Sequence, residues 1–117
     1  VLREDSREGG HKAFLFDKSK QLLVLPVSMN WVVMKDGEYY TKGFWQGAYV
    51  FNITLDSGFV LRGNVTHLEN GVSEWESSGY WVNRALYIDD VLYTISNKKV
   101  KMNDLETLEE INEVELP

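Results

Sequence analysis

The sequence predicts an all-β chain of about two four-stranded antiparallel propeller-type blades, a fragment of a larger β-propeller. A block written twice is the first observation behind this. Lys12-Ala-Phe-Leu-Phe-Asp17 and Arg84-Ala-Leu-Tyr-Ile-Asp89 each run from a cation through Ala and three large apolar residues to Asp. Further short apolar runs at matching places are the second. They are Leu22–Leu25, Ala48–Asn52 and Val60–Val65 in one copy, and Val91–Ile95, Val100–Asn103 and Glu110–Val114 in the other. Four short strands per repeat make one blade. Length is the third: 117 residues hold two such units, and a closed propeller takes at least about four blades of about 40 residues.

Taken in order, residues 1–11 read as a polar leader, Val1-Leu-Arg-Glu-Asp-Ser-Arg-Glu-Gly-Gly10 being charged and ending in Gly-Gly. Residues 12–68 form the first blade-like repeat. Its opening strand is apolar at both alternating sets of positions, which suits burial on both faces, and Asp17-Lys-Ser-Lys20 is a polar connection. An extra hairpin at 29–45, without counterpart in the second copy, joins Trp31-Val-Val-Met34 to Glu38-Tyr-Tyr-Thr41 around Asp36-Gly37, the strongest short-range hairpin signal. Residues 69–83 are a connection carrying Asn70-Gly71 and Ser77-Ser-Gly79. Residues 84–117 form the second repeat, with turns at Asp89-Asp90 and Asn97-Lys98. Its end, Asp104–Leu116, also fits an acidic amphipathic helix through Leu105, Leu108, Ile111 and Leu116. Aligning the repeats instead places Ile111 and Val114 on Leu61 and Val65, and so assigns an edge strand.

Composition narrows the function. Acids outnumber bases 18 to 12 for a formal net charge of −6, and a phosphate-binding surface needs clustered Lys and Arg, so no nucleic acid partner is expected. Apolar runs are far shorter than the roughly 18–20 residues of a bilayer span, so no membrane insertion is expected. Without cysteine there is no disulfide or thiolate chemistry. Blade faces normally pack on neighbours, so the isolated pair is expected to self-associate.

The block His11–Asp17, followed by Leu22–Val27 and Gln46–Phe51, resembles the C-terminal part of secreted archaeal and bacterial proteins whose beta-propeller domain is distantly related to WD-40 repeats. Arg84–Ser96 with Lys99–Asn103 resembles the closing blade of that domain. The resemblance covers nearly the whole chain and rests on structural motifs. It implies a propeller fold and an extracellular or cell-surface location, and it carries no catalytic residue or ligand set.

Candidate chemistry is sparse. His11 and His67 could share a metal only with further ligands, because such sites take three or four. Asp89-Asp90 has the look of a paired-carboxylate site but the position of a hairpin turn. Asp36, or Asn103-Asp104 with Glu106, could offer oxygens to calcium but lacks the full alternating pattern. Asn52 and Asn64 sit in Asn-x-Thr sequons, both within expected strands where a glycan has poor access. No catalytic residue, metal or cofactor is therefore assigned. The aromatic residues carry more weight: Trp31, Tyr39, Tyr40 and Trp45 in the insertion, Trp75 and Trp81 in the connection. Trp and Tyr on irregular segments serve as binding anchors for protein or carbohydrate. The plain structural expectation is that the insertion folds over the blade and its rings cap the core. Functionally the chain is expected to be a non-enzymatic binding or structural module of a secreted or cell-surface protein. The alternative is part of a hydrolase or metal-binding propeller whose site other blades complete.

Overall fold

A computed structural model describes residues 13–117; the leader, with His11, lies outside the described residues. Two four-stranded antiparallel sheets follow each other along the chain, each in simple up-and-down order. The first holds β1 (Leu15–Asp17), β2 (Leu22–Lys35), β3 (Glu38–Thr54) and β4 (Gly58–Val65). The second holds β5 (Arg84–Ile88), β6 (Val91–Ile95), β7 (Lys99–Asp104) and β8 (Glu110–Glu115). Each meander is a blade: neighbouring runs are joined by turns, so antiparallel pairing is the shortest way to satisfy their backbone groups.

Leu22, Val24, Ala48, Val50 and Val65 line one face of the first sheet, and they pack with Leu92 and Leu105 of the second copy and Val82 of the connection. Period-two alternation puts Leu22 and Val24 on that face and Leu23 and Leu25 on the other. Polar pins surround this core. The Gln46 side chain acts as a short piece of strand, its Nε2 donating to the Val82 carbonyl at 3.0 Å and its Oε1 accepting from the Val82 N–H at 2.8 Å. Arg62 donates to the Leu105 carbonyl at 2.7 Å and to Asn52 Oδ1 at 3.0 Å. Tyr87 donates its hydroxyl to Asp17 across the interface.

Both copies carry a bulge between their last two strands. Val50 faces Gly63 while Phe51 faces Leu61, leaving Arg62 extra; Met102 faces Asn112 while Asn103 faces Glu110, leaving Ile111 extra. Ile111 therefore matches Arg62, one position from the match to Leu61 expected from the sequence, and Val114 matches Val65. The segment after Asp104 is a turn and a strand. Its glutamates are tolerated because β8 is an edge and its side chains reach water.

Three expectations need correction. The opening strand is not buried on both faces, since Phe16 is 61% exposed. The connection is not wholly irregular: Glu74–Tyr80 forms a 3-10 helix, entered where the Ser73 hydroxyl donates to Glu76 at 2.8 Å. The hairpin expected at 29–45 is present, pairing Met29↔Trp45 to Lys35↔Glu38 around Asp36-Gly37, but it is not a cap folded over the blade, since Trp31, Tyr39 and Tyr40 are exposed. β2 and β3 run straight through it as one ladder from Leu22↔Asn52 to Lys35↔Glu38, broken only by a bulge at Lys42. Asp36 and Gly37 both take positive φ, 54° and 80°, the backbone of the tight two-residue turn that suits strand twist.

Candidate functional site

β4 stops opposite Ala48 and β1 pairs only as far as Val24, so the outer parts of β2 and β3 form a two-stranded arm. At about 3.3 Å per residue the arm extends about 30 Å beyond the blade. Its length shows in the longest principal extent, 51 Å, and in a radius of gyration of 15.7 Å, against about 13 Å for an ordinary domain of this size.

Register sorts the arm residues by face. Met29 opposes Trp45, Trp31 opposes Gly43 and Val33 opposes Tyr40, which places these on one face; Val32, Met34 and Tyr39 lie on the other. The two indoles fold flat against glycines. A Cβ on Gly43 would meet the Trp31 ring at 3.1 Å, and one on Gly47 would meet the Trp45 ring at 2.7 Å. The Trp31 face then runs without interruption onto the blade. Trp45 meets Tyr49 edge-on at 5.5 Å, Tyr49 meets Phe51 at 6.3 Å, and Phe51 meets Phe59 at 6.0 Å. From Leu23 to Val33 on β2 and from Gly43 to Ile53 on β3, no residue of this face is charged.

Of the candidate binding residues, Trp31, Tyr40 and Trp45 share this face. Trp31 and Tyr40 are about half exposed and Trp45 is partly covered. Tyr39 is exposed on the opposite face of the arm. Trp81 is exposed beside the Gln46–Val82 clamp, its indole N–H donating to Ser77 Oγ at 3.2 Å. The Trp75 side chain lies outside what is described. Sequence reasoning missed Met29, Val33, Tyr49, Phe51 and Phe59 as parts of the same surface. The signal was the unbroken odd-numbered series Leu23, Leu25, Val27, Met29, Trp31 and Val33, which marks one strand face.

His67, Asp104 and the glutamates around Lys99 are held in structural bonds, while Asp36, Asp89 and Asp90 sit in turns. His67 is fully buried, with Nδ1 2.7 Å from Ser96 Oγ and Nε2 2.8 Å from Thr94 Oγ1. Burial first, then the charges of Lys101 and Lys99, push its pKa down to about 4. Glu69, Glu113 and Glu115 bring carboxylate oxygens within 4.8 Å of one another, but the buried Lys99 ammonium occupies the cation's place, 2.7 Å from Glu69 and 3.4 Å from Glu113. Burial alone would lower the Lys99 pKa; the hydrogen bond to Glu69 and the charges of Glu113 and Glu69 together raise it. Asp89 and Asp90 form the exposed turn between β5 and β6, Asp89 with φ 53°. Asp104 Oδ1 accepts the Glu106 and Thr107 N–H groups, both at 2.9 Å, and Asp36 sits in the arm's turn. Asn52 is bound to Arg62, whereas Asn64 is exposed on the edge strand, against the poor access expected for both sequons.

Comparison with known proteins agrees with this architecture. The model of the beta propeller domain family matches residues 5–108. No curated protein and no solved structure matched the chain. Two successive up-and-down four-stranded sheets packed face to face, with a family match over most of the length, lead to one conclusion: the chain belongs to the beta propeller domain family.

Proposed function

We propose that this chain is a non-enzymatic binding and structural module, working outside the cell or at its surface, whose contact element is the aromatic arm. The arm itself carries the proposal. A two-stranded ribbon gains little stability by itself in water, and this one keeps Trp31, Val33 and Tyr40 exposed on one face and Val32, Met34 and Tyr39 on the other. Contiguous exposed apolar surface of this kind marks interaction sites. Trp and Tyr supply much area for little lost conformational freedom.

Protein surface suits the arm better than sugar. Stacking sites for sugars pair aromatic rings with polar groups aimed at hydroxyls, and along β2 the Trp31 face offers no charged neighbour between Met29 and Val33, the nearest charge being Lys42 in the bulge of β3. A non-enzymatic role is supported by His67, Asp104 and the glutamates around Lys99, all engaged in holding the fold. The extracellular location rests on the family resemblance alone, and fractionation of producing cells tests it.

The chain and a Trp31→Ala/Tyr40→Ala variant are to be compared on arrays of peptides and of oligosaccharides. The expected result is capture on peptide spots, with the variant's signal reduced about tenfold or more at unchanged melting temperature. Equal signals from the two proteins would remove the arm as the contact element. Capture confined to sugar spots would reassign its ligand.

A further inference from the structure

We infer that the apolar stripe of β2 and β3 is the seat of a two-fold dimer, the arm of each copy lying along the outer blade face of the other. This deepens the binding role proposed above by naming the partner: a second copy of this chain. Length is the first argument. The stripe spans nearly all of two strands of 14 and 17 residues. A blade face such as that of the second sheet, whose strands are five or six residues long, covers its blade half and leaves the arm bare. Among the described residues, the β surface of matching length is the stripe itself.

Two copies placed antiparallel and face to face set each arm, with Trp31, Val33 and Tyr40, over the other's Phe51, Phe59 and Leu61. This is the self-complementary arrangement of a two-fold interface, in which residue i meets j and j meets i. Area is the second argument. Phe16, Phe59, Leu61, Trp31, Val33 and Tyr40 are 61%, 54%, 51%, 50%, 41% and 48% exposed. With aromatic side chains contributing about 150–250 Å² each and Leu61 and Val33 less, they and the half-covered rings between them present roughly 800 Å², the share of one partner in a standard interface.

Chemistry is the third argument. Apart from Lys42 in the bulge beside Gly43, the stripe is uncharged, and the polar turn Lys35-Asp36-Gly37-Glu38 lies beyond it. An arm lying along a partner can bury such a shank while its tip returns to water. The opposite arm face ends at the Gln46–Val82 clamp and offers no comparable run.

The test uses sedimentation of the whole chain across a hundredfold concentration range together with single-cysteine variants, which the cysteine-free sequence makes unambiguous. Met29 lies midway along the stripe and so beside the two-fold axis; Val33 lies at one end and Met34 on the other face. The expected results are a dimer, a loss of dimer affinity of about tenfold or more on Trp31→Lys, and little change on Met34→Lys. A short bis-maleimide, spanning the ~10 Å between packed sheets, should link Met29→Cys to itself in high yield. Val33→Cys and Met34→Cys should link poorly. A monomer at every concentration overturns the dimer while leaving the arm's role to the array comparison. A larger assembly without Met29→Cys self-linkage overturns it in favour of head-to-tail stacking of blades.

Discussion

Buried polar residues between the two sheets set how stability responds to pH. His67 is neutral in the folded chain because burial and the nearby Lys101 and Lys99 hold its pKa near 4. In the unfolded chain the ordinary value of about 6.5 applies. Unfolded molecules therefore bind a proton that folded ones refuse between these values. Stability is full above about pH 6.5 and falls as pH drops toward 4, by on the order of 3 kcal/mol. His67→Gln should flatten this slope in urea titrations at successive pH values; an unchanged slope would assign the loss to other groups. Asp17 acts lower. The Tyr87 hydroxyl, then Ser19 and the Lys20 N–H, hold its carboxyl at about 2, so its contribution is present above about pH 4 and is lost as pH falls toward 2. Removing the buried cation has a different signature. Lys99→Met leaves Glu69, Glu113 and Glu115 facing one another without it. The expected cost at neutral pH is about 1–2 kcal/mol, below that of a fully buried pair because the glutamates reach water. The cost should shrink as these carboxylates protonate, which denaturant melts at pH 7 and pH 4 measure.

Individual strands and turns explain why the arm stands apart from the blade. Its closing turn needs positive φ at Asp36 and Gly37. Gly37→Ala should loosen the arm's outer pairs by about 1 kcal/mol, read as faster amide exchange at Met34 and Tyr39 with blade amides unchanged. Gly63 has the opposite importance: a Cβ there would meet the Leu108 side chain at 2.8 Å. Leu108, itself at φ 63°, packs against the core between the sheets. Gly63→Ala should therefore cost about 1–3 kcal/mol by overpacking; a loss below 0.5 kcal/mol in a thermal melt would show that Leu108 moves aside freely. The strand boundaries were legible in part. The Asp-Gly turn and the runs Leu22–Leu25 and Val91–Ile95 announce themselves, whereas the arm's continuity with β2 and β3 does not. Gly43 and Gly47 read locally as breaks, and only in the folded chain do the Trp31 and Trp45 rings lie over them.

Across the whole molecule, one shared core joins the sheets, so they should unfold together. Leu22 and Leu92 are both fully buried, one in each sheet. Either Leu→Ala change is expected to cost about 2–5 kcal/mol and to shift far-UV and tryptophan signals in the same transition. Separate transitions would mean two independent blades. Gln46→Ala should also weaken the joint, since it strands both the N–H and the carbonyl of Val82. Shortening the arm, by contrast, removes exposed surface and leaves the core intact, so it should change association far more than melting temperature.

The amino-acid order by itself determined the class of the molecule. A repeated cation-Ala-apolar-Asp block, short apolar runs and turn residues at matching places leave little besides two antiparallel four-stranded units, because alternation and turn chemistry are local properties. Tertiary structure alone decided which side of each strand faces the other sheet, and so which aromatic residues belong together. Trp31, Tyr40 and Trp45 share a surface with Tyr49, Phe51 and Phe59, and Tyr39 does not, because cross-strand register and the bulge at Lys42 set the faces. Register depends on pairing partners distant in the chain. A shift of one residue turns every side chain to the other face, so the odd-numbered apolar series marks one face of β2 but cannot by itself say which residues of β3 and β4 join it.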